Sequence, residues 1–158
     1  MIGSVRPGQL PLGRERRSGG CDQAKLTIRR FAIPDETRQF TAKGRAELLT
    51  FGDGVVGRGI FEPGWKWSKH VKPIVGTPSC MAAHSGYVVS GMMHIVMDDG
   101  TEAEVGPGDY AIIPPGHDAW TVGNEACVFV DFVGMENYAK AEREARGSLG
   151  AEAQPGIH

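Results

Sequence analysis

From Lys25 onward the chain alternates apolar and polar residues in short runs, each closed by glycine, proline or aspartate. A period of two puts every second side chain on one face, which predicts half-buried strands. The runs are Leu26–Phe31, Ala46–Phe51, Val55–Phe61, Met81–Ser90, Met92–Met97, Ala103–Val105, Tyr110–Ile113, Trp120–Val122 and Cys127–Val133. Asp98-Asp99-Gly100 between two of them predicts a hairpin, because these residues tolerate the positive φ of a tight turn. Gly106-Pro107-Gly108-Asp109 and Pro114-Pro115-Gly116 break the chain again at short intervals. Many short strands spaced this way predict an antiparallel sandwich or barrel. Only Glu136–Arg146 reads as helix, rich in Ala, Glu, Lys and Arg and followed by Gly147; its thin apolar face makes it peripheral. Residues 1–23 carry Gly, Pro, Arg and Ser with neither period and read as a disordered tail. The expected organisation is a tail over 1–23, a barrel over 24–135, and a C-terminal helix and tail over 136–158.

Composition narrows the partners. The 158 residues are 41% hydrophobic, enough for the packed core of one domain. Seventeen basic against 19 acidic residues leave a net charge of −2, so nothing points to nucleic acid or to an anionic membrane. Arg6, Arg14, Arg16 and Arg17 in the tail have no aromatic residues among them and read as a solvated end. No apolar stretch follows them as in a secretory signal, and no run is long enough to cross a bilayer. Three cysteines, Cys21, Cys80 and Cys127, without a C-x-x-C pair argue against a disulfide scaffold. The expectation is a cytoplasmic protein with reduced thiols.

Two blocks carry the chemistry. The first is Gly64, five residues, His70-Val71-Lys72, eleven residues, His84, six residues and Gly91. The second is Gly108, five residues, Pro114, one residue, Gly116 and then His117-Asp118-Ala119-Trp120. Together they resemble the two-motif pattern of the cupin superfamily. Its first motif is Gly, five residues, His-x-His, three or four residues, Glu, six residues, Gly. Its second is Gly, five residues, Pro-x-Gly, two residues, His. The resemblance implies an all-β fold, the antiparallel double-stranded β-helix or jelly-roll barrel, and a homodimer. The glycine and proline skeleton fits closely, and Tyr87-Val88-Val89-Ser90-Gly91 matches the usual strand ending of the first motif.

The ligand slots depart from that pattern. His70 stands in the first histidine slot, Lys72 in the second, His84 in the glutamate slot and Ala119 in the last histidine slot, with His117 two residues before it. On a strand His70 and Lys72 share a face. A lysine ammonium repels a metal ion and suits a carboxylate or phosphate of a bound molecule instead. His84 shares its face with Ala82, Gly86, Val88 and Ser90, small or apolar as a barrel interior requires. His70, His84 and His117 are therefore the candidate ligands of a divalent transition metal, Zn, Fe, Cu or Ni. Each also has a plain structural reading as a hydrogen-bonded imidazole.

Cys80 is a reserve ligand, since a straight strand puts it about 13 Å from His84; only a curl at Gly76–Ser79 brings it near. Trp67, Lys72, Cys80, Tyr87 and Trp120 are the expected wall of a ligand pocket, with Trp65 beside them. Asp118 is a candidate to orient His117. Cys127 reads as a core residue and His94 as structural. The expected function is a barrel that binds a divalent metal through histidines and acts on or binds a small anionic organic molecule. The alternative is a metal-free sensor or binding protein for a small molecule.

Overall fold

The computed structural model describes residues 25–52 and 54–141. Nine strands form a six-stranded sheet in the order β1-β2-β3-β9-β4-β7 and a three-stranded sheet in the order β6-β5-β8. They are β1 Glu36–Gln39, β2 Gly44–Phe51, β3 Gly54–Phe61, β4 His84–Ser90, β5 Met92–Met97, β6 Glu102–Val105, β7 Tyr110–Ile113, β8 His117–Val122 and β9 Cys127–Asp131. Every pairing is antiparallel. Between β3 and β4 lie two short helices, α1 Trp67–His70 and α2 Lys72–Val75. A 3-10 helix, Gly134–Glu136, follows β9. The architecture is the expected all-β jelly-roll barrel, and no helix among the described residues is long and apolar enough to cross a membrane.

Period-two alternation aims the core. On β4 the side chains of His84 and Val88 are buried, and on β9 those of Cys127, Phe129 and Asp131. Met93 and Ile95 of β5 lie beside Thr121 and Ala119 of the paired strand β8, and with His117 they point into the same interior. A fully buried Val88, Cys127 or Ala46 each removes apolar surface from water at about 25 cal/mol per Å2, which holds the two sheets together. The Asp98-Asp99-Gly100 turn closes the β5–β6 hairpin as expected, with Gly100 at φ 86° and the Met97 N–H bonded to the Thr101 carbonyl at 2.7 Å.

Four expected segments change. Leu26–Phe31 is not a strand; instead Phe31 lies under the Arg58 guanidinium, 4.7 Å from the ring centre. The run Met81–Ser90 becomes a strand only at His84, and Trp120–Val122 begins earlier, at His117. Residues 136–141 of the expected C-terminal helix are the end of the 3-10 helix and irregular turns; 142–158 and the tail 1–23 lie outside the described residues. That 3-10 segment is clasped to the barrel. Arg38, buried, donates to the carbonyls of Met135, Tyr138 and Glu136 at 2.8, 2.6 and 2.9 Å.

Candidate metal centre

Three polar groups meet at the end of the barrel where β4 and β8 begin. Pro114-Pro115-Gly116 turns the chain there, with Gly116 at φ 89°, a conformation that favours glycine. His117 follows as the first residue of β8 and points inward, in phase with Ala119 and Thr121. Gly76, at φ 82°, caps α2 in the left-handed region, and residues 76–83 then run without regular structure. This segment is pinned to β8 by its backbone: the Cys80 N–H donates to the His117 carbonyl at 2.8 Å and the Gly116 N–H to the Cys80 carbonyl at 2.7 Å. Cys80 is thereby held beside His117, and the chain turns back into β4 at His84. Cys80 Sγ lies 3.6 Å from His84 Nε2, and one donor atom from each of Cys80, His84 and His117 falls within 4.8 Å of the others.

The imidazole protons are fixed by acceptors that cannot donate. His84 Nδ1 is 2.5 Å from Asp131 Oδ2, and His117 Nδ1 is 2.7 Å from the Pro114 carbonyl. A carboxylate and a carbonyl only accept, so each Nδ1 carries the hydrogen and each Nε2 is the atom that can hold a metal. Asp131 is itself locked, its Oδ1 accepting the N–H groups of Ser85, Val133 and Gly134 at 3.1, 3.1 and 3.2 Å. Gly134 has no room for a side chain: a β-carbon would stand 2.5 Å from His84 Nδ1 and 2.9 Å from Asp131 Oδ2.

The electrostatics follow from this packing. Burial raises the Cys80 thiol, but the imidazoles of His117 and His84 outweigh it and bring Cys80 down to about 6. Burial disfavours a charged His84, yet the contacts with Asp131 and Cys80 lift it to about 9. Burial likewise works against the Asp131 carboxylate, and His84 with the backbone N–H groups more than compensates, leaving its pKa lowered. Burial and the nearby charges of Cys80 and Asp131 hold the Tyr138 phenol well above its ordinary value. Without a metal, Cys80 and His84 thus pair as thiolate and imidazolium.

The donor set fits a transition metal. Tetrahedral zinc, with bonds of about 2.3 Å to sulfur and 2.0–2.1 Å to nitrogen, needs its sulfur and nitrogen ligands about 3.6 Å apart. Cys80 Sγ and His84 Nε2 already have that spacing.

Two cavities flank the group. Inside the barrel, one of about 30 Å3 is lined by Phe61, Trp65, Trp67, Met93, Ile113, Phe129, Met135 and Tyr138 along with the two histidines. It holds no more than about one water-sized group. Outside, a groove of about 400 Å3 runs between residues 75–83 and 133–140, with Cys80 in its lining. Tyr138 and Trp67 line both. The indole N–H groups of Trp65 and Trp67 are buried with no hydrogen-bond partner among the described residues.

The expected site residues divide. His84 and His117 come together, and Trp67 lines the pockets. Cys80 joins the centre directly, because residues 80–83 curl instead of continuing β4 as a straight strand. His70 stands apart from the group: it ends α1, not a strand, and its Nδ1 accepts the Lys66 N–H at 2.9 Å. Lys72 opens α2, is exposed and lines neither cavity, so the shared strand face expected for His70 and Lys72 does not exist. Tyr87 is 42% exposed on the outer face of β4. Trp120 also points outward, stacked on His94 at 4.4 Å with Lys66 over its ring, because it is out of phase with His117 on β8. Asp118 faces out too and accepts the Ser68 N–H; the residue that orients an imidazole is Asp131. A signal for Asp131 exists in the sequence: it continues the inward phase of Cys127 and Phe129, where a carboxylate is out of place.

Comparison with known proteins agrees on the fold. Residues 77–130 match the family model of the EutQ-like cupin domain. Among solved structures the chain is similar to the polyketide cyclase RemF from Streptomyces resistomycificus, at 21% identity over 71% of this chain and 81% of that one, with a TM-score of 0.51. It is also similar to an RmlC-like cupin from Shewanella frigidimarina, at 18% identity over 65% and 86% of the two chains and a TM-score of 0.45. A protein with a double-stranded β-helix domain from Klebsiella pneumoniae is similar at 22% identity over 72% and 94%, with a TM-score of 0.47. No curated protein sequence matches.

Proposed function

We propose that the chain, a cupin, binds one divalent transition-metal ion through Cys80 Sγ and the Nε2 atoms of His84 and His117, and that this centre binds or transforms a small organic molecule. The supporting observation is the pair of Nδ1 hydrogen bonds, to Asp131 and to Pro114, which leave both Nε2 atoms as the metal-binding nitrogens beside a thiol. One thiolate and two imidazoles suit zinc, iron or copper. Three protein donors leave a fourth position open, as in catalytic sites, where a bound ion supplies Lewis acidity to a ligand oxygen. The chain's own part is positional. Asp131 keeps the proton on His84 Nδ1, Tyr138 packs edge-on against the His84 ring at 5.2 Å, and Trp67 helps to exclude water from the interior. Lys72 lies outside both cavities, and Lys140 of the groove lining is matched there by Glu136, so the organic molecule is not tied to a negative charge.

Cobalt substitution tests the centre. One equivalent of Co(II) is expected to bind with a sulfur-to-cobalt charge-transfer band, absent in Cys80→Ser, and His84→Ala is expected to bind no stoichiometric metal. Folded protein that takes up no cobalt, zinc, iron or copper would refute the proposal. A second reading, a metal-free binding protein, is favoured by the thiolate–imidazolium pair, in which His84 already sets a positive charge beside the Cys80 thiolate. A homodimer belongs to the proposal as well. The outer face of β4 and β7 exposes Tyr87, Val89, Tyr110 and Ile112, an uncharged surface suited to a second copy. Light scattering that returns the monomer mass would remove it.

A further inference from the structure

We infer that the groove of about 400 Å3 between residues 75–83 and 133–140 is the binding site of an uncharged, largely apolar organic molecule. The inference names the ligand class of the proposed centre, and rests on that reading only for the approach of the ligand to a metal at Cys80.

Size separates the two cavities. The interior one, about 30 Å3, admits a water-sized group and no organic ring. The groove falls in the range of about 300–1,000 Å3 that small-molecule sites occupy. Its lips, Met81 and Val133, are 56% and 62% exposed, so both leave apolar surface in water that a ligand would cover. Deeper in lie the Trp67 and Tyr138 side chains, which also line the interior. Cys80 lies in the same lining, so a molecule in the groove lies next to the centre without entering the barrel.

Charge narrows the class. Besides Cys80 and Tyr138, the ionisable residues of the lining are Glu136 and Lys140, one of each sign. They give no net field to select an ion, and a charged ligand would lose its hydration for little return. Trp67 is 2% exposed and its indole N–H has no partner among the described residues. That N–H lies beneath the surface, so the groove meets the Trp67 ring as an apolar wall. The wall on the 133–140 side is fixed by Arg38, which holds three of its carbonyls, so the groove is formed before any ligand arrives.

Prodan, an uncharged naphthyl ketone whose emission moves to the blue in apolar surroundings, is the probe. It is titrated into chelator-treated and cobalt-loaded full-length protein. The expected result is saturable binding at one per chain, at least tenfold tighter than anilinonaphthalene sulfonate, the anionic comparison. Met81→Glu and Val133→Glu, both at exposed lips and hence compatible with folding, are each expected to weaken prodan at least tenfold with an unchanged melting temperature. Absence of saturable binding, equal affinity for the sulfonate, or full affinity in both variants would overturn the inference. Failure of cobalt to bind overturns the metal centre alone, and the chelator-treated titration still decides the groove.

Discussion

Asp131→Asn isolates the tautomer argument from everything else in the site. The two residues have the same shape, and Asp131 is completely buried. One of its oxygens takes three backbone N–H groups while the other takes His84 Nδ1. An asparagine has one accepting oxygen. Placed toward the three N–H groups, it leaves its NH2 facing His84 Nδ1; flipped, it sets a donor against three donors, which is worse. The first arrangement wins, and His84, a cation with a proton on each nitrogen beside Asp131, relieves the remaining clash by giving up its Nδ1 proton and keeping the one on Nε2. That proton then occupies the atom that would hold the metal. Loss of such an orienting partner costs about tenfold to a hundredfold in metal affinity, or about 1.4–2.7 kcal/mol.

Competition against a chromophoric chelator near neutral pH measures the zinc affinity, and nitrogen chemical shifts of the imidazole report the tautomer. The metal-free variant also loses a charge-assisted hydrogen bond, about 1.5–3 kcal/mol in urea unfolding, and this is measured separately. Zinc affinity within threefold of the parent, with the remaining proton on Nε2, would show that this tautomer does not govern the centre. If the proton stays on Nδ1, the argument from the acceptor fails at its first step.

Three further expectations are simpler. Zinc must displace the Nε2 proton of His84, held up to about 9, so apparent affinity should rise about tenfold per pH unit between about 6 and 9 and level off above; below about 6 a second proton on Cys80 steepens the dependence. A pH-independent affinity across that range would contradict the ligand assignment. Arg38→Gln removes the charged clasp on the carbonyls of Met135, Glu136 and Tyr138, and should cost about 3–5 kcal/mol in urea unfolding, against less than 1 if the clasp is ornamental. His70→Ala should keep full metal content by elemental analysis, because His70 is engaged with the Lys66 N–H away from the centre; loss of the metal would return His70 to the ligand set.

The strands that could be read from the sequence are those whose apolar phase and turns agree. Met92–Met97 and Tyr110–Ile113 have the predicted bounds because alternation is bracketed by Asp-Gly and Pro-Pro breaks. Glu36–Gln39 has no apolar residue, yet it is β1: it pairs with β2, and its inward Arg38 serves the carbonyls of a segment about a hundred residues on. No local pattern contains that partner. His70 to Lys72 could pass for strand by motif position, but Pro73 stands at the first turn of α2, where its fixed φ suits a helix start.

The centre itself departs from the motif at two of its three donors. The last histidine slot, Ala119, does point inward and is buried, so the strand phase transfers correctly and only the side chain is missing. His117 is on the same face two residues earlier, about 6.8 Å along the strand toward its start. Cys80 is delivered to that same end by its backbone bridge to β8, and His84 is the first residue of β4. The three donors therefore meet at that end with His84 in its motif slot, His117 one pleat nearer the end than the last histidine slot, and Cys80 outside the motif altogether. The segment 76–83 accounts for Cys80: its additional residues let the chain curl across β8, so a thiol reaches the centre by backbone pairing rather than by strand phase. A slot-by-slot reading of ligands assumes that the intervening chain is strand. Where that chain is helix and curl, the donors must be sought in the residues its backbone hydrogen bonds bring together.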